Sequence, residues 1–313
     1  MPEQIKINIP QEICLTTIRT QNSKLWFVNN KGLEKEVLAY LAKYQNVYGV
    51  IIYAFILMGN HYHMVAKFPK GNRHKFKKVF NRIFANILKR QESKYRGGNV
   101  WGRRYRPQGL PRPLDVKHWF FYTICNPISS GLVPSIYQYN SFNSFFMSLS
   151  GKTKKYKFFN REKYQNLSRY NKKLTEADCM EEYELKFSRL PECEAMTQQE
   201  YRKYLMGEYS KRKNDILKAR KEKGKGFMGE EKLKRQVSGS YPVTTKTSML
   251  GSYRPLYLSL SSETLATCLS GYFSVLNAFK LASYRYRKGH VKTKFPPGTF
   301  RPSAIFDVAS SIA

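Results

Sequence analysis

Apolar residues recur along the first half of the chain in two rhythms. Residues 32–44 (GLEKEVLAYLAKY) place Leu33, Val37, Leu38 and Leu41 on one stripe at helical spacing, which predicts an amphipathic helix. Residues 12–20 are rich in β-branched side chains and predict a strand. Residues 50–58 form an unbroken apolar run rich in Val and Ile, the pattern of a strand buried on both faces. Residues 61–67 alternate, and Gly59-Asn60 separates them from that run. The pair reads as a hairpin or as one strand bulged at the glycine. Residues 72–96 carry Phe76, Val79, Phe80, Ile83, Phe84 and Ile87 on one face and Lys75, Lys77, Lys78, Arg82, Lys89 and Arg90 around the rest. That is a basic helix, which Gly97-Gly98 should end. A short basic strand is predicted over residues 100–106. Pro113 then opens a helix that runs through Tyr122 and stops at Asn126-Pro127. The order β, α, β, β, α, β, α predicts an α+β fold, a sheet with helices on one face.

After about residue 150 the texture changes. Residues 152–173 are basic and polar, residues 176–190 and 198–220 predict helices, and residues 262–288 predict a further amphipathic helix ending in SYRYRKGH. A Ser/Thr/Pro-rich stretch, 237–255, reads as a linker. The expected division is a domain over residues 1–150 and a basic, largely helical extension over residues 151–313.

Charge narrows the partner. Lys and Arg number 55 against 22 Asp and Glu, a formal net charge of +33, and such an excess points to a polyanion. Aromatic residues make up 15% of the chain and offer faces on which unpaired bases can stack, which favours nucleic acid over a membrane surface. The first twenty residues lack the apolar core of a signal peptide, and the run 50–58 is too short to span a bilayer, so a cytoplasmic protein is expected. Five scattered cysteines with no CxxC pair predict free thiols. The sequence contains no GxxxxGK[ST] motif, so no nucleotide cofactor is expected.

Two segments carry candidate chemistry. In Asn60-His61-Tyr62-His63 the histidines are two apart, so on a strand both imidazoles face one side of the sheet and can share a metal ion. In Tyr122-Thr123-Ile124-Cys125-Asn126-Pro127, Tyr122 and Asn126 share one helical face, and the Asn126 amide could complete such a site. Spacing alone does not single out Tyr122 among 23 tyrosines. The basic aromatic stretches Lys94-Tyr95-Arg96 and Arg103-Arg104-Tyr105-Arg106 suit a groove that tracks a nucleic-acid backbone.

The phrase FILMGNHYHMVAKFP, then the segment from Gly98 to Arg104, then FYTICNPISSGLVP resemble the single-tyrosine HUH transposases of the IS200-like kind. Within them they are most similar to the group associated with repetitive extragenic palindromes. The resemblance covers about residues 10–145 and departs from the family at Gly59, where Pro is common, and at Ile128-Ser129-Ser130-Gly131, where Val-Arg-Ala-Gly is common. It implies a ferredoxin-like antiparallel sheet, the HUH nuclease core. It implies His61, His63 and Asn126 as ligands of Mg²⁺ or Mn²⁺, and Tyr122 as nucleophile. The implied activity is cleavage and rejoining of single-stranded or hairpin DNA through a 5′-phosphotyrosine, by a monomer or a homodimer. The alternative is a nucleic-acid-binding protein on the same fold that does not cut.

Overall fold

In a computed structural model, which describes residue 5 and residues 7–242 and 255–303, residues 13–109 build one sheet. Its strands are β1 (Ile13–Arg19), β2 (Ile51–Leu57), β3 (His61–Lys67) and β4 (Arg106–Gly109). Helix α1 (Lys31–Tyr48) connects β1 to β2, and α2 (Arg73–Gln91) connects β3 to β4. The spatial order is β2-β3-β1-β4 with every neighbour antiparallel, the split βαβ arrangement of ferredoxin-like folds. The two readings open for the Gly59-Asn60 junction resolve to the hairpin, and a register shift lies inside β2 between Ile52 and Ala54.

Alternation sorts the sheet into two faces. Tyr62, Met64 and Ala66 of β3 pack with the apolar stripes of α1 and α2, including Leu33, Val37, Leu41, Phe76, Phe80 and Phe84. His61 and His63 share the opposite face with Val65, which packs with Leu15 and Tyr53 beneath α3 (Pro113–Ile124). After α3 come α4 (Asn126–Ser129) and α5 (Phe145–Ser150).

The remainder of the chain supplies side chains to both cores. A hairpin of β5 (Lys154–Phe159) and β6 (Met180–Leu185), joined through α6 (Arg161–Leu167), lays Tyr156, Phe158 and Leu185 against α1. Helix α7 (Gln198–Glu222) sends Tyr201, Leu205 and Tyr209 into the core under α3. The short α8 (Glu230–Lys234) and the long α9 (Ser262–Arg287) complete the described residues. Among them, no helix is long and apolar enough to cross a membrane. All five cysteines are free, and only Cys268 is not buried.

Three expectations are corrected. The strand expected over residues 100–106 begins only at Arg106; before it, Trp101 makes a single bridge to Thr20. Gly97, Gly98 and Gly102 weaken extended pairing there, and Pro107 is tolerated because β4 is an edge strand. Helix α2 ends at Gln91 rather than at Gly97-Gly98, because its buried stripe stops at Leu88 and later residues bring no apolar face. The helix expected over residues 176–190 is instead strand β6. Its Glu182 and Glu184 lie across from the lysines of β5, with Lys155 and Lys157 paired to them. The linker expected over residues 237–255 lies outside the described residues from 243 to 254.

Candidate active site

The register of β1 against β3 sets the candidate site. Thr17 lies opposite His63 and Arg19 opposite His61, so all four side chains occupy one face. The two imidazoles stand edge to face with ring centroids 4.8 Å apart. Thr17 Oγ1 is 2.8 Å from His63 Nδ1, and Asn60 Oδ1 is 2.6 Å from His61 Nδ1. With Nδ1–H donated to these oxygens, each ring keeps its lone pair on Nε2. Both histidines are almost fully buried, at 8% and 6% exposure, so neither ring is a loose surface side chain.

The second half of the site arrives from α3 and α4. Pro113 starts α3 with its φ already set, and the helix runs to Ile124, where Pro127 prevents an uninterrupted continuation. Tyr122 is on the last turn of α3. Its ring lies 5.7 Å from that of His63 and 4.8 Å from that of Trp119. Asn126 opens α4, and its Nδ2 is 3.4 Å from His63 Nε2. Ser130 Oγ donates to Asn126 Oδ1 at 3.2 Å. Turning that amide over presents Oδ1 to the imidazoles and leaves Nδ2 donating to Ser130 Oγ, which accepts as readily as it donates. Two imidazole nitrogens and one amide oxygen then converge, a donor set that fits a divalent ion.

Arg19 adds a positive charge at the edge of this group. Burial of its surroundings lowers its pKa, and the nearby Tyr122 hydroxyl acts in the opposite direction. His118, one turn before Tyr122, faces Arg212 of α7, with Nη2 3.2 Å from Nε2. Burial first and that guanidinium second lower the His118 pKa, and the Asp115 carboxylate acts in the opposite direction.

The structure brings His61, His63, Tyr122 and Asn126 together; the other expected residues lie on or beside the segment between α2 and β4. Lys94, Arg96, Arg103 and Arg104 are exposed, and Arg106 is half-buried. Gly102 N–H donates to Arg19 O at 2.9 Å, which ties the start of the Arg103-Arg104 segment to the strand end beside the site. Tyr105 packs on the core, where burial pushes its hydroxyl up to about 12 and a hydrogen bond from Arg73 acts against that shift. Tyr95 packs edge to face on Trp26 at 5.2 Å.

Sequence reasoning missed Thr17, Arg19 and the orienting role of Asn60, because only the cross-strand register reveals Thr17 and Arg19. The two departures from the family pattern have local explanations. A Cβ at Gly59 would stand 2.8 Å from Val28 and 3.0 Å from Leu25, so this turn is built for glycine. Beside Ser129, where an Arg is common, Arg220 of α7 donates to the Ser129 carbonyl at 3.2 Å and stacks on Phe227 at 4.7 Å.

Thr17→Val, which keeps shape but removes the hydroxyl, should loosen the His63 ring. Losses for such outer partners run about 10- to 100-fold, so the Mn²⁺ concentration for half-maximal activity is expected to rise at least about tenfold. An unchanged Mn²⁺ requirement would show that Thr17 does not orient His63.

Residues 16–108 match the model of the family described as "Transposase IS200 like", a stretch that includes both histidines and ends before Tyr122. A solved structure of a REP-associated tyrosine transposase bound to a REP hairpin is similar at 16% identity and a TM-score of 0.42. The similarity covers 48% of this chain and 86% of that one. A comparison with curated proteins gave no match.

Proposed function

We propose that this chain is a transposase that cuts and rejoins single-stranded or hairpin-bearing DNA through a covalent 5′-phosphotyrosine on Tyr122. One observation carries the reading: His61, His63, Tyr122 and Asn126, from two segments some sixty residues apart in sequence, converge on one patch of the sheet face. The match of residues 16–108 to IS200-like transposases supports the class of reaction, and the net charge of +33 supports a polyanionic substrate.

His61 Nε2, His63 Nε2 and Asn126 Oδ1 would hold Mg²⁺ or Mn²⁺, which when bound supplies Lewis acidity at the scissile phosphate. All three donors are neutral. Among the described residues no cluster of three or more His, Cys, Asp or Glu side chains forms, so no carboxylate offsets the positive charge offered to the phosphate. Tyr122 Oη attacks phosphorus and loses its proton, the P–O3′ bond breaks, and the 3′ oxygen leaves as a hydroxyl. Arg19 stabilises the charge that develops on Oη. Rejoining is the reverse step with another 3′ hydroxyl. The covalent link conserves the bond energy, so no ATP is consumed. In this reading residues 1–150 carry the chemistry and residues 151–313 add basic DNA-binding surface. Lys94, Arg96, Arg103, Arg104 and Arg106 track the phosphate backbone close to the cut.

Incubation with hairpin-bearing single-stranded DNA and Mn²⁺ is expected to give an SDS-resistant protein–DNA adduct on a denaturing gel. EDTA should lower its yield at least roughly a hundredfold, and added Mn²⁺ should restore it. Tight binding with no adduct under any divalent ion would overturn this reading in favour of a binding module on the same fold.

A further inference from the structure

Beside His61 the site face opens into a cleft between the β2–β3 turn and the loop after α4, with Arg19 and His61 among its lining residues. Met58, Met228 and Leu233 are among its apolar lining, and Asn140 and Gln236 add amides to it. Met228 and Leu233 come from residues 226–242, far beyond the sheet in sequence. This segment is tied down by its backbone. Met228 N–H donates to Gly131 O at 2.8 Å, Gly229 N–H to Leu132 O at 2.9 Å, and Gly239 N–H to Leu25 O at 3.0 Å. Asn29 Nδ2 donates to the carbonyls of Lys234 and Gln236, each at 2.8 Å. The wall is therefore in place before a ligand arrives, and binding does not have to order it.

We propose that this cleft receives one unpaired nucleobase adjoining the phosphate that Tyr122 attacks, an inference that rests on the strand-cutting reading above. A base is a flat apolar slab with donors and acceptors on its rim. Thioether and aliphatic walls suit its faces, and amides, which both donate and accept, suit its edge. Arg19 and His61 stand where the attached phosphate would lie. A groove meant for phosphates alone would have no use for the apolar walls. A base held in a duplex cannot turn sideways into such a cleft without unpairing, so the cleft also selects single strands over paired ones.

The test uses the full-length Tyr122→Phe chain with methyl-labelled methionine, so that the strand is bound but not cut. It is titrated with a hairpin oligonucleotide bearing a single-stranded tail, and with the same hairpin carrying an abasic tail. The Met58 and Met228 methyl resonances are expected to shift with the intact tail and to stay in place with the abasic one. Met180, half exposed on β6, should stay in place with both. Met228→Trp, which fills the cleft, is expected to weaken binding of the intact tail about tenfold, near the lower end of the stacking energy of one base, and to leave binding of the abasic tail unchanged. Silent Met58 and Met228 resonances on a strand that binds by fluorescence anisotropy would overturn the cleft. If wild type still forms its adduct on that strand, the cutting reading survives and the cleft alone falls. A protein that binds neither tail overturns both.

Discussion

Tyr122→Phe is expected to abolish the covalent protein–DNA adduct, lowering its rate by at least roughly three orders of magnitude, while binding of the uncut strand stays within about twofold. Phenylalanine keeps the ring contacts with Trp119 and His63 and removes only the attacking oxygen. The chain has other tyrosines, and the nearest rival in sequence is Tyr62, between the two histidines. It lies on the opposite face of β3, fully buried, with its hydroxyl 2.5 Å from Asn81 Oδ1, and burial pushes its pKa well above the ordinary tyrosine value. A buried, bonded phenol on the wrong face cannot replace the lost one. Denaturing gels of wild type, Tyr122→Phe and a Tyr62→Phe control, with binding followed in parallel by fluorescence anisotropy, decide the matter. An adduct that persists in Tyr122→Phe would remove Tyr122 as nucleophile.

Asp115→Ala is expected to destabilise the protein by about 3 kcal/mol, read as a shift of the urea midpoint at unchanged slope. The Asp115 carboxylate has no exposed surface and accepts from five donors. Arg112 contributes its backbone N–H at 3.2 Å and its Nε and Nη2, both at 3.1 Å; Ser259 Oγ lies at 2.9 Å and Leu260 N–H at 2.8 Å. Arg112 is about one-third exposed, so solvent screens its share, and the part-buried donors Ser259 Oγ and Leu260 N–H share the rest of the cost. Burial raises the Asp115 pKa, but the Arg112, Leu260 and Ser259 hydrogen bonds outweigh it and hold the carboxyl below its usual range. Its contribution is therefore fully present above the unfolded value of about 3.9 and is lost as pH falls through the lower folded value. The midpoint gap between wild type and Asp115→Asn should be constant from neutral pH to about pH 5 and should narrow below pH 4. A gap that does not change down to pH 3 would show that the carboxylate charge contributes nothing. Because Asp115 joins the first turn of α3 to residues 259 and 260, the same substitution loosens the helix that presents Tyr122.

How far the sequence led depended on how local each signal was. The run of residues 50–58 and the stripe of Leu33, Val37, Leu38 and Leu41 state their own burial, and β2 and α1 formed where those patterns lay. The His61–His63 spacing already placed both rings on one face, whereas Tyr122 and Asn126, expected on one helical face, come from α3 and α4, which break at Cys125. Non-local information was not legible. Strand β6 has neither β-branched residues nor a strong apolar alternation, and its case rests on Lys155 and Lys157, more than twenty residues earlier. The orienting contact of Thr17 and the placement of Arg19 exist only once β1 is set against β3 in one particular register. The cleft beside His61 combines the β2–β3 turn with residues 226–242, a pairing that no pattern along the chain announces.

The sharing of both cores by residues on either side of position 150 bears on how the protein comes into being. Synthesis delivers both histidines, Tyr122 and Asn126 first, but Leu185, Leu190, Tyr201 and Leu205, which close the packing around α1 and under α3, leave the ribosome later. Until then the nascent first half carries uncovered apolar faces, the kind of surface that makes partly folded chains prone to aggregate. A chain cut short near residue 150 would hold all four candidate site residues and yet is expected to aggregate, because the side chains that cover α1 and the underside of α3 lie beyond the cut.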